Sequence, residues 1–205
     1  MSSLMSELSE FASRYQDRVN QRSDVAARAV VRLWRQVQSG SLDAGWDAVA
    51  PQIERVMERA QVDAAAMAGP YVAGALALQN VGSEPVRVVP EAFAGVTREG
   101  RSVVPELFAG VTTAKTLIGS GVGVGAAFQA GTAVMSVLAA TIIRDSGRGA
   151  VSTVNAARGG VRVIRVVSAG ACSRCAILAG ADRFNAHFER HPSCRCTSIP
   201  VAAGD

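Results

Sequence analysis

Between Thr116 and Ile143 the chain runs 28 residues without a charged side chain, TLIGSGVGVGAAFQAGTAVMSVLAATII. A run of this length has to leave water, either inside protein or across a bilayer, whose hydrocarbon core takes roughly 20 apolar residues of helix. Its glycines bear on the choice. Gly119, Gly121, Gly123 and Gly125 crowd the first third and create two overlapping GxxxG spacings, which let helices approach closely in a membrane. They also cost a helix about 0.5–1 kcal/mol each relative to Ala. Gln129 and Thr132 interrupt the centre with groups that lipid does not satisfy. The pattern predicts a loop or frayed start over residues 119–125, then a helix from about Ala126 to Arg144 buried in protein, with no membrane contact.

Such a helix needs neighbours, and the rest of the chain offers them. With 49% of 205 residues apolar there is enough to build a core, and the length allows one domain of ordinary size plus a small satellite. Aromatic residues make up only 5%, while Ala, Val and Gly are abundant, which favours close-packed helices of small residues. Leu4, Leu8, Phe11 and Tyr15 recur at steps of four and three, and Val30, Leu33, Trp34 and Val37 resume that rhythm after a polar patch. One amphipathic helix, or two in series, is predicted up to Ser39-Gly40. Trp46, Val49, Ile53, Val56 or Met57, and Ala60 form the apolar face of the next helix, capped by Ser41 or Asp43. Pro51 either kinks that helix or begins its well-formed part. Helical pattern resumes through MAGPYVAGALALQN, with a second proline at Pro70.

A nonapeptide then occurs twice, VPEAFAGVT at residues 89–97 and VPELFAGVT at residues 104–112. Pro at a first-turn position and Gly at a stop position predict two brief helical turns that dock Phe93 and Phe108 into similar pockets. A duplicated connector without that role fits the repeat equally well. Residues 145–160, DSGRGAVSTVNAARGG, suit a separate capped helix stopped by Gly159-Gly160, and the β-branched VRVIRVVS at residues 161–168 reads as a strand. The expected fold is therefore mainly α: a helical body over residues 1–157 and a small C-terminal α+β module over residues 158–205.

Charge is divided in the same way. Residues 144–205 carry nine Arg against four acids, whereas residues 1–143 carry twelve bases against thirteen acids. The basic end suits phosphate or acidic protein surfaces, and Arg158, Arg162, Arg165, Arg174 and Arg195 would make it a nucleic-acid-binding module. A solvated face has the same composition, and no aromatic residues interleave these arginines as a single-strand binder requires. The N-terminal MSSLMSELSEFASRYQDR carries acids and no apolar stretch, so it does not read as a secretory signal, and a reducing cytosol is expected.

All four cysteines and both histidines fall in CSRCAILAGADRFNAHFERHPSCRC, residues 172–196. The spacing is Cys172-x2-Cys175-x15-His191-x2-Cys194-x-Cys196. A two-residue gap lets one turn bring two sulfurs to a cation at about 2.3 Å each, and HPSCRC offers an imidazole and two more thiols on a second turn. In a reducing compartment such clusters are more often metal ligands than disulfides. The set predicted by spacing is Cys172, Cys175, His191 and Cys194, with Cys196 or His187 as spare or substitute and zinc as the metal, since mixed thiolate and imidazole donors suit it. A metal-free thiol cluster, disulfides between the two turns, or a cysteine nucleophile with His191 as base are the alternatives.

ACSRCAILAG followed by RFNAHFERHPSCRCTSIPV resembles the C-terminal motif of MuF-like minor head proteins of tailed bacteriophages, particularly those of actinobacteria. WDAVAPQIERVMERAQVDAAAMAGPYVAGALALQN and IIRDSGRGAVSTVNAARGGVRVIRV are similar to the upstream stretches of that group. The resemblance implies a minor capsid protein that joins the procapsid near the portal and acts in head morphogenesis. Portal and capsid or scaffolding proteins would be its partners, with packaged DNA as a further contact for the basic end. The host cytoplasm during assembly, then the procapsid or virion, would be its location. Relatives are often called capsid maturation proteases, an activity for which this chain presents no Ser, His, Asp constellation. A protease here would have to use a cysteine of the cluster.

Overall fold

Two long helices organise the chain. A computed structural model describes residues 2–37, 41–82, 86–167, 173–177, 179–180, 182–184 and 194–202. Helix α1 (Ser2–Trp34) and helix α6 (Val124–Arg158) each run about 50 Å at 1.5 Å per residue and pack along one another. Between them in sequence come α2 (Leu42–Ala66), α3 (Ala68–Ala77), a 3₁₀ turn at Pro90–Phe93, α4 (Val103–Leu107) and α5 (Ala109–Gly119). Strand β1 (Val161–Val166), the short helix α7 (Ser173–Ile177), β2 (Asp182–Phe184) and β3 (Thr197–Ala202) complete the described chain. The fold is mainly α with a small C-terminal sheet and a cysteine cluster, as the sequence predicts.

Periodicity accounts for α1 as one helix. Leu8, Ala12, Tyr15, Val19, Ala26, Ala27, Val30 and Trp34 all lie on its buried side. Three residues of the polar patch that divides the two apolar runs, Gln16, Asn20 and Ser23, are buried as well and bond to one another. Gln16 Nε2 donates to Asn20 Oδ1 at 3.0 Å and Ser23 Oγ to the Asn20 carbonyl at 2.7 Å. Helix α2 continues through Pro51. That proline removes the donor for the Asp47 carbonyl, and both residues face solvent, where water replaces the lost bond. Pro70 falls in the first turn of α3, where no intrahelical donor is required.

The glycine-dense stretch resolves into a tight reversal. Helix α5 ends at Gly119, Gly121 takes φ +87°, and α6 starts at Val124, so the two helices run antiparallel as a hairpin. Their backbones meet at a different pair of glycines. A Cβ on Gly131 would stand 2.6 Å from the Gly110 carbonyl oxygen, and one on Gly110 would stand 2.4 Å from Met135 Cγ. Gly131→Ala should therefore destabilise the protein by about 1–3 kcal/mol, because overpacking outweighs the ~1 kcal/mol gained in helix propensity. Urea unfolding checks this, and a variant as stable as the parent would mean that α5 can move away freely.

Helix α6 does not end near Arg144, and residues 145–158 continue it instead of forming a separate helix. It continues unbroken to Arg158 and stops where Gly159 takes φ +65°. Asp145-Ser146-Gly147 reads as a break in sequence, yet each residue has a place inside the helix. Asp145 pairs with Arg148 at 3.1 Å, Ser146 Oγ donates to the Ile142 carbonyl at 3.2 Å, and Gly147 packs against Tyr15 and Val19 of α1, which a Cβ there would meet at an ordinary contact distance of 3.5 Å. By length and composition α6 could cross a membrane. It is also the central strut of the helical body, touching α1, α2, α3 and α5.

The two copies of the nonapeptide adopt different structures. The first forms the 3₁₀ turn, after which Gly95 at φ +69° and a bridge between Val96 and Ser102 reverse the chain. The second enters α4 and passes into α5 with Gly110 helical. Phe93 packs near Gly149 at the sheet end of the body, whereas Phe108 packs edge-on against Trp46 at the far end, ring centroids 5.8 Å apart. The similar pockets expected from the repeat are absent. Leu107, fully buried where the first copy has exposed Ala92, draws the second copy into the core.

Among the described residues the sheet has the order β2-β1-β3, antiparallel throughout. Ile164 pairs with Ile199 and Arg162 with Val201. Ile199 and Val201 belong to the same buried cluster as Leu8, Ala12, Tyr71, Leu76 and Val154, so the sheet shares a core with the helices. Polar groups fix that docking. Tyr71 stacks on Tyr15 at 3.9 Å, Tyr15 donates to the Gly147 carbonyl, and Tyr71 donates to the Ser198 carbonyl at 2.6 Å. Burial holds both phenols well above the usual tyrosine range, so they remain donors at any physiological pH. The outer edge of β3 is closed by Gln79, whose amide donates to the Pro200 carbonyl at 2.9 Å and accepts from Ala202 N at 3.1 Å. Pro200 stands in this edge strand, where a missing donor is tolerated.

Candidate metal centre

Alternation along β1 separates two environments. Ile164 and Val166 face the helical core, while Val163 and Arg165, both buried, and Val167 lie on the opposite side. The cysteines gather on that opposite side. Cys175 comes from α7, which follows β1, and Cys194 and Cys196 come from the segment that enters β3. Two residues apart in extended chain, Cys194 and Cys196 point the same way, and the intervening Arg195 points to solvent and Asp24.

The three thiols are 1%, 3% and 2% exposed, and their sulfurs all lie within 4.8 Å of one another. Cys175 Sγ stands 3.8 Å from Cys194 Sγ. A disulfide needs about 2.05 Å. Two thiolates bound at 2.3 Å on adjacent corners of a tetrahedron stand about 3.8 Å apart, so the observed separation fits a shared cation. Three buried cysteines thus lie close enough to bind one metal ion. Cys196, left as spare by the spacing argument, is brought into the group. Cys172, His187 and His191 lie outside the described residues, and each is a candidate fourth donor by sequence.

Two arginines support the cluster, and spacing did not reveal their part in it. Arg148 of α6 donates from Nη2 to the Cys194 and Cys196 carbonyls at 2.5 and 3.0 Å, and from Nε to the Cys196 carbonyl at 3.2 Å. Its Nη1 is held by Asp145. The fork fixes the height of both cysteines against the long helix, as groups beyond the ligands orient metal sites generally. Arg165 approaches Cys175 Sγ at 3.9 Å and would offset the negative charge of a thiolate cluster. Arg165 is 6% exposed, so it cannot serve the basic outer face to which the sequence assigned it. A signal existed for it: an arginine at an inward position of a strand next to CxxC.

No family model matches the chain, and neither curated proteins nor solved structures give a match.

Proposed function

We propose that this chain is a minor capsid protein of a tailed phage, acting in procapsid assembly and head maturation near the portal, and that zinc holds its C-terminal segment to the helical body. The resemblance of the CSRC and HPSCRC segments to MuF-like head proteins supports the assignment. The observation that carries the structural role is the burial of three converging thiols. A cysteine nucleophile must meet a polypeptide substrate, and thiols 1–3% exposed beneath Val167 are poorly placed for that. A closed set of four ligands leaves zinc no open position and makes its binding energy folding energy. Zinc is favoured over other metals because soft thiolates dominate the donors. Exposed apolar residues such as Val25 and Val137 on the two long helices are available to portal, scaffolding or capsid partners.

The test is fractionation of particles from an infection in which this protein is tagged. It is expected to sediment with procapsids, in association with the portal. Recovery only at the top of the gradient, with heads of normal composition, would overturn the assignment.

A further inference from the structure

Beside the cysteine segment, α1, α6 and Arg195 line an open cavity of about 270 Å³ whose charged lining is Asp24, Arg28, Arg144 and Arg195. Three cations face one anion. Arg195 stands 3.4 Å from both oxygens of Asp24, which accounts for the one carboxylate. Arg144 is 3% exposed, its Nε donates to the Ala140 carbonyl at 2.9 Å, and its Nη1 has no acceptor among the described residues. A buried guanidinium without a full set of acceptors is costly to keep, and natural structures rarely leave one so. Ser136 adds a hydroxyl to the lining.

We propose that this cavity binds a phosphate group, held by Arg144 from the inside and by Arg28 and Arg195 at the rim. A guanidinium offers forked donors that match the oxygens of phosphate, and two net positive charges suit a dianion. A space of about 270 Å³ accommodates a phosphate or a small phosphomonoester. Burial, together with the positive charges of Arg148 and Arg195, disfavours the charge on Arg144 more than Asp24 and Asp145 favour it, and a bound anion would offset that. Arg195 lies between two of the buried cysteines, so the rim is complete only when the cysteine segment is folded against α6. The site does not depend on a capsid role.

Metal-replete full-length protein should be titrated with sodium phosphate and, at matched ionic strength, with sodium chloride, following heat of binding and thermal midpoint. Saturable binding of phosphate with a midpoint rise of several degrees is expected, and chloride should give neither. Arg144→Met should abolish the effect, and Arg28→Gln, at an exposed position, should weaken phosphate binding several-fold. Should Arg144→Met not fold, Arg28→Gln and Arg195→Gln decide the matter. An oligonucleotide that displaces phosphate at lower concentration would identify the source of the group as a nucleic-acid backbone, and failure to displace it would identify free phosphate or a phosphomonoester. Equal stabilisation by chloride, no saturable heat, or wild-type affinity in both rim variants would overturn the proposal.

Discussion

Cys194→Ser, or removal of metal with a strong chelator, should release residues 194–202 from the body and lower the unfolding midpoint more than any other change considered. Structural zinc in small modules contributes about 10–16 kcal/mol of apparent binding energy at neutral pH, comparable to the whole stability of a domain at about 5–15 kcal/mol. The damage should not stop at the sheet. Ile199 and Val201 lie in one cluster with Leu8, Tyr71, Leu76 and Val154, so loss of β3 opens that end of the helical body to water. The other end, where Trp34 stacks on Phe128 at 4.9 Å and Ile53, Leu107 and Met135 are buried, has no residue of β1 or β3 in its cluster among the described residues. Hydrogen exchange on the metal-free protein should therefore show lost protection in β3, α3 and the last turns of α6, with protection kept around Ile53 and Met135. Elemental analysis of protein purified without added zinc should give about one equivalent per chain. Unchanged protection of residues 194–202 after metal removal would rule out a metal as the fastening.

Gln61→Leu should cost about 2–4 kcal/mol, because a fully buried amide here takes the place of regular secondary structure. Gln61 Nε2 donates to the Val96 carbonyl at 2.7 Å and to Ser146 Oγ at 3.0 Å, and its Oε1 accepts from Gly95 N at 3.0 Å. One side chain of α2 thus holds the reversal after the 3₁₀ turn against α6. Leucine fills similar space but leaves the part-buried Gly95 and Val96 backbone groups without those partners, each toward the lower end of the about 1–3 kcal/mol of a fully buried group. At roughly 2–4 °C per kcal/mol for a chain of this size, the midpoint should fall by about 10 °C. The Gly95 amide should exchange much faster in the variant. A variant within 0.5 kcal/mol of the parent, on the order of an ordinary surface substitution, would show that the reversal is held by other contacts.

Both predictions rest on residues that differ in how readable they were. That Cys175, Cys194 and Cys196 come together was legible, because short fixed gaps between thiols, as in CxxC and HPSCRC, are what a shared cation would require. Gln61 was not. A glutamine within an amphipathic helical pattern looks like a solvated position, and only the return of the chain at Gly95 gives it partners. The same holds for Arg148 and Arg144. On paper they contribute to a basic C-terminal end, whereas in the fold one holds two cysteine carbonyls and the other lines a cavity. Strand β3 escaped notice because Pro200 interrupts a six-residue run, and proline excludes a central strand but not an edge whose outer side is covered by Gln79.

Local chemistry determined the helices, the stop at Gly159 and the strand after it, since periodicity and φ restrictions act within a few turns of chain. Tertiary structure decided the rest. It carried α6 through Asp145-Ser146-Gly147 because partners distant in sequence hold that turn: Gln61 of α2 bonds Ser146, and Arg148, paired with Asp145, bonds the Cys194 carbonyl. It gave two copies of one nonapeptide different folds because a single buried leucine distinguishes them. It set Cys196 beside Cys175 and Cys194, across a chain separation that no local rule measures, by pairing β3 with β1 in a register chosen by Ile199 and Val201 on the helical core.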